Sequence, residues 1–60
     1  MSEEQQLATA YRSKAKDLRT IAEWDDSAKT RDVLLWVAND YERVAIRLEA
    51  MERAKLDRVA

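Results

Sequence analysis

Four groups of side chains in this 60-residue chain have the types and spacing to do chemistry. Asp25 and Asp26 are adjacent carboxylates of the kind that hold a hard cation. Such sites need several oxygens converging, usually around a sharp glycine turn, and the chain has no Gly. The pair reads better as a helix cap and dipole partner. Glu49 and Glu52 sit three apart, as in the Glu-x-x-His motif of di-metal helix bundles, but the chain has no His and Arg53 lies beside them. They read as surface or inter-chain charge. Tyr11 and Tyr41 bring hydroxyls that suit a small-molecule site between helices, or more plainly rings that pack while their hydroxyls find a polar neighbour. Arg12, Lys16 and Arg19, with Arg43 and Arg47, form a candidate phosphate-binding set for RNA or DNA. The interleaved Asp17, Asp40 and Glu42 and a net charge of −1 favour a solvated mixed-charge face instead.

Whole classes of activity drop out of the composition. No Cys and no His means no disulfide, no thiol nucleophile and no imidazole base or metal ligand. Without Gly there is no phosphate-cradling glycine loop. No cofactor motif is present, so no cofactor, catalytic residue or metal site is assigned, and the chain reads as non-enzymatic. No segment approaches the ~18 apolar residues of a membrane span. The acidic start Met-Ser-Glu-Glu-Gln-Gln does not read as a secretory leader, so the expected location is cytoplasmic. Its mixed-charge polar faces also disfavour a membrane-surface helix.

The elements that must position these residues are helices. The chain is 47% hydrophobic and 38% charged, rich in Ala, Leu, Glu, Arg and Lys. Ser2 with Gln5 three residues on matches a capping box, and Glu3 and Glu4 suit the positive end of the helix dipole. Apolar positions then step by three and four through Leu7, Ala8, Tyr11, Ala15, Leu18, Ile21 and Ala22. Asp25-Asp26-Ser27 is the one mid-chain cluster of capping residues, with Asp26 or Ser27 expected to cap a second helix. The second stripe runs Leu34, Val37, Ala38, Tyr41, Val44, Ala45, Leu48, Met51, then Leu56 and Val59. Glu42, Arg43, Arg47, Glu49 and Arg53 are expected on its far side, with Arg19–Glu23 and Glu49–Arg53 as local i,i+4 pairs.

These features predict an all-α chain, one helical hairpin over 1–60. Helix 1 covers about 3–24, the turn about 25–27 and helix 2 about 28–58. A single continuous helix is the alternative. Folding about Asp26 sets Tyr11 opposite Tyr41 and leaves the last ten residues beyond helix 1. The expected core is Leu7, Tyr11, Ala15, Leu18, Ile21, Leu34, Val37, Tyr41, Val44 and Leu48.

One run exceeds what a two-helix hairpin covers. Val33-Leu34-Leu35-Trp36-Val37-Ala38 is apolar on every face if helical. A chain this small usually needs a disulfide, a metal or a partner to complete its core, and association is what remains. The expectation is an antiparallel homodimer forming a four-helix bundle, with Leu35, Trp36 and Ile46 as candidate contacts between chains. The function that follows is a self-associating structural or interaction module that also binds a protein partner. The alternative is a dimeric hairpin regulator binding nucleic acid.

The run Tyr11-Arg12-x-Lys14-Ala15-x-x-Leu18-Arg19-x-x-Ala22-Glu23, followed by Leu34-Leu35-x-x-Ala38-x-Asp40-Tyr41-Glu42-Arg43-x-Ala45, resembles a group of short, uncharacterised bacterial helical-hairpin proteins. The likeness spans most of the chain and implies a hairpin in a bacterial cytoplasm. It implies no activity and no catalytic residue. Those proteins often carry Pro after an Asp in the turn, where this chain has Ser27 after Asp26.

Overall fold

The computed structural model describes residues 2–59, with Val59 by its backbone alone; the stripe position assigned to the Val59 side chain therefore lies outside the described residues. Two helices account for nearly all of it: α1 (Glu3–Trp24) and α2 (Ala28–Val59). They pack against each other as a hairpin.

Local chemistry sets the boundaries. Ser2 has extended backbone, and its Oγ accepts from the Gln5 N–H at 3.1 Å, satisfying one of the free donors of the first turn. α1 ends where Asp25 turns extended (φ −86°, ψ 129°). Asp25 Oδ1 then accepts from the Ser27 N–H at 2.8 Å, an Asx turn. Ser27 Oγ accepts from the Thr30 N–H at 3.3 Å, so Ser27 is the cap of α2. The turn is thus made by side-chain hydrogen bonds, with no residue at positive φ among those described.

The core departs from expectation. The buried residues are Ala8, Ala15 and Ala22 on α1 and Ala38 and Ala45 on α2, each 0–1% exposed. They recur every seven residues, the spacing that keeps one seam of a helix facing an antiparallel neighbour. Only Ala15 of these belongs to the expected core. Leu7 and Ile21 are exposed, and Tyr11, Leu18, Leu34, Val37, Tyr41, Val44 and Leu48 are half-buried. The physical reason is distance. Methyl groups along the seam let the two backbones approach closely, and larger side chains are displaced to its flanks.

The register is the expected one: the Tyr11 and Tyr41 rings stack, and α2, with 32 residues against 22 in α1, runs past the start of α1, where Lys55 reaches back to Glu4.

Candidate interaction surface

With alanines at the seam, each helix places one row of side chains on either side of it, and the two sides differ in chemistry. Arg12 and Arg19 are four residues beyond Ala8 and Ala15, and Glu42 and Glu49 four beyond Ala38 and Ala45. In an antiparallel pair these rows share a side. Arg12 grips Glu49 with both Nε (3.2 Å) and Nη2 (2.5 Å). Arg19 grips Glu42 through Nη1 (3.1 Å) and Nη2 (3.2 Å), and Nη2 also donates to Asn39 Oδ1 at 3.1 Å. Two-pronged Arg–carboxylate bonds fix geometry as well as attraction. The hydrogen bonds from Arg19 and Arg12 hold the Glu42 and Glu49 carboxyls below the usual range. Glu49 in turn raises Arg12.

Glu42 and Glu49 therefore face α1, not the far side of α2. Arg19 turns to Glu42 rather than Glu23, and Glu49 to Arg12 rather than Arg53. Tertiary pairs with two hydrogen bonds outcompete single contacts along one helix.

The opposite side is apolar. Tyr11 and Leu18 of α1, and Tyr41 and Leu48 of α2, each three residues beyond a seam alanine, share this side with Leu34, seven residues before Tyr41. The Tyr11 and Tyr41 rings stack with centroids 5.5 Å apart and planes inclined by 29°. Outside them lie Leu7 and Ile21 on one edge and Val37, Val44 and Met51 on the other, one helical turn from their inner neighbours. Lys14 interrupts the α1 edge between Leu7 and Ile21. At the far end Lys55 hydrogen-bonds Glu4, which lowers the Glu4 carboxyl and raises Lys55. The result is a face of large side chains that the chain itself only half covers.

The other candidates fall elsewhere. Leu35, seven residues before Glu42, and Ile46, four residues after it, belong to the ion-paired side. Trp36 points away from α1 and is 66% exposed. The apolar run is split by the packing: Ala38 is buried, Leu34 and Val37 half-buried, and Val33, Leu35 and Trp36 exposed. The five basic candidates are not gathered into one free patch. Arg12 and Arg19 are held by carboxylates, Arg43 lies 3.9 Å from Asp40, and Lys16 and Arg47 make no ion pair among the described residues.

Asp25 is occupied with the turn, and Glu49 with Arg12. No cluster of three or more potential metal ligands occurs among the described residues. A groove of about 330 Å³, bordered by Gln5, Glu49, Glu52, Arg53 and Leu56, lies open to solvent. No described helix is long and apolar enough to cross a membrane. Comparison with protein families, curated proteins and solved structures finds no match to this chain.

What sequence reasoning missed is the alanine seam and the rungs beside it. The signal was present: Ala8/Ala15/Ala22, Ala38/Ala45, Arg12/Arg19 and Glu42/Glu49 all repeat at seven residues.

Proposed function

We propose that the chain is a cytoplasmic, non-enzymatic helical interaction module. It self-associates into a four-helix bundle; Leu35, Trp36 and Ile46, expected at the contact between chains, lie on the ion-paired side or point away from α1 and are assigned here to a protein partner instead. One observation carries this reading: the hairpin buries only alanines and leaves every large apolar side chain of its described residues at least partly exposed. Exposed aromatic and aliphatic anchors on a rigid helix are the usual source of helix-in-groove and helix-bundle affinity. The resemblance to bacterial helical hairpins supports the same architecture and location. A nucleic-acid regulator finds less support, because Arg12 and Arg19 are already engaged by Glu49 and Glu42.

The test is the mass of the purified protein in solution. Sedimentation equilibrium is expected to return a multiple of the 7.0 kDa chain mass. A folded monomer at every concentration refutes self-association.

A further inference from the structure

This inference rests on the reading that the chain self-associates, and assigns the face and the mate. We infer that a second copy of the chain docks across a two-fold axis on the tyrosine side of the hairpin, and that the ion-paired side stays outside the contact.

The surface area points to a mate of this size. The hairpin exposes 4943 Å² for a mass of 7.0 kDa. A compact monomer of that mass exposes about 4,000 Å², so roughly 900 Å² is in excess. A standard protein–protein interface removes about 800 Å² from each partner. Shape agrees. The radius of gyration is 14.4 Å, and the principal extents are 50 × 16 × 11 Å. A compact body of this length in residues has a radius near 10 Å, and one of twice that length near 14 Å. A second hairpin laid alongside adds girth without adding length.

The chemistry of the two sides decides which one is covered. Across the ion-paired side, Arg12 and Arg19 already have carboxylate partners within the chain. The tyrosine side is closed in that way at one end alone among the described residues, by Lys55 and Glu4. Its centre is apolar, and Lys14 and Asp17 of α1 border it beside Leu18 and Tyr41. Lys14 and Asp17 make no ion pair among the described residues. A two-fold contact requires a patch that complements itself. An apolar centre bordered by both signs of charge, Lys14 and Asp17, meets that requirement.

Ile21 and Ile46 give a matched test. Both are 53% exposed, Ile21 on the tyrosine side and Ile46 on the ion-paired side. Sedimentation velocity over a dilution series is to be run on wild type, Ile21→Glu and Ile46→Glu. Each substitution enters a two-fold contact twice, so Ile21→Glu is expected to raise the dimer Kd by roughly a hundredfold, about tenfold per copy. Ile46→Glu is expected to leave it within about threefold. If Ile21→Glu does not fold, the cysteine-free background supplies a milder pair. In Ile21→Cys the thiol is expected to be shielded from maleimide in concentrated solution and to react on dilution. In Ile46→Cys it reacts equally at both concentrations. Dissociation by Ile46→Glu alone, shielding of the thiol in Ile46→Cys, or an assembly of more than two chains overturns the assignment while leaving self-association standing. A wild type that sediments as a folded monomer removes self-association itself.

Discussion

Ala45→Leu tests the alanine seam most directly. Ala45 is fully buried, so the added carbons of leucine have no void to enter. α1 must move away or the side chain must leave its rotamer well, and overpacking of this kind costs about 1–3 kcal/mol. Leucine is nearly as good a helix former as alanine, so propensity adds little. A cost near 2 kcal/mol lowers the folded-to-unfolded ratio by roughly thirtyfold, and the thermal midpoint by about 8–16 °C for a chain of this size. The control is Ala50→Leu, the same change at an exposed position of α2, expected to stay within about 0.5 kcal/mol of wild type. Glycine gives a second comparison. Ala45→Gly loses a buried methyl, about 0.8 kcal/mol, on top of the ~1 kcal/mol helix penalty that Ala50→Gly incurs alone. The assay is thermal and urea unfolding by circular dichroism at one fixed protein concentration, since assembly shifts the midpoint. If Ala45→Leu is as stable as Ala50→Leu, the helices are not held together at their alanines and the division into two sides fails with it.

Ser27→Ala removes the acceptor for the Thr30 N–H and is expected to cost about 1 kcal/mol, read as a lower urea midpoint; an unchanged midpoint refutes Ser27 as the cap. Glu4, Glu42 and Glu49 titrate below the ordinary glutamate range because Lys55, Arg19 and Arg12 hydrogen-bond them. A lowered folded pKa gives stability that is present above the ordinary value, about 4.3, and lost as pH falls through the folded values. The melting midpoint should therefore hold from neutral pH to about 5 and fall below about 4.3, with a shallower fall in Glu42→Gln/Glu49→Gln; an identical acid profile in that variant refutes the assignment. Trp24→Phe leaves Trp36 as the one indole, exposed and off the tyrosine side. Its acrylamide quenching should be the same in dilute and concentrated protein, and protection on concentration would place Trp36 in the contact.

The parts of the fold that are legible in the sequence are those decided by neighbours along the chain. The Ser2 cap depends on a hydroxyl three residues before a free N–H, and the Asp25–Ser27 break on short side chains that compete for backbone groups. The stacking of Tyr11 on Tyr41 follows from a short turn between two stripes. The orientation of each helix about its own axis is another matter. A stripe with steps of three and four spans a wide arc, and Ala8 and Leu7, or Ala45 and Val44, are equally good members of it. Side-chain volume favours the large residue as the one that points at the neighbour. Here the small residue does, because seven-residue alanines on both helices permit closer backbones. That one rotation also accounts for the salt bridges: it brings Glu42 and Glu49 toward α1 and lifts Leu7 and Ile21 to the rim.

The same rotation links the fold to its proposed use. A seam of methyl groups contributes little apolar burial per residue, about 0.8 kcal/mol each, while a large aliphatic side chain fully buried contributes about 1.5–3. The hairpin therefore spends its best apolar residues outside its own seam, on a side where Tyr11, Leu18, Tyr41 and Leu48 are only half-buried. Exposed ion pairs on the other side fix the register but add little to stability. What would be the core of a larger protein is here the surface of a small one. In the four-helix bundle proposed for this chain, that surface becomes the centre. The alanine seams then define each hairpin, and the tyrosine sides supply most of the burial that stabilises the pair.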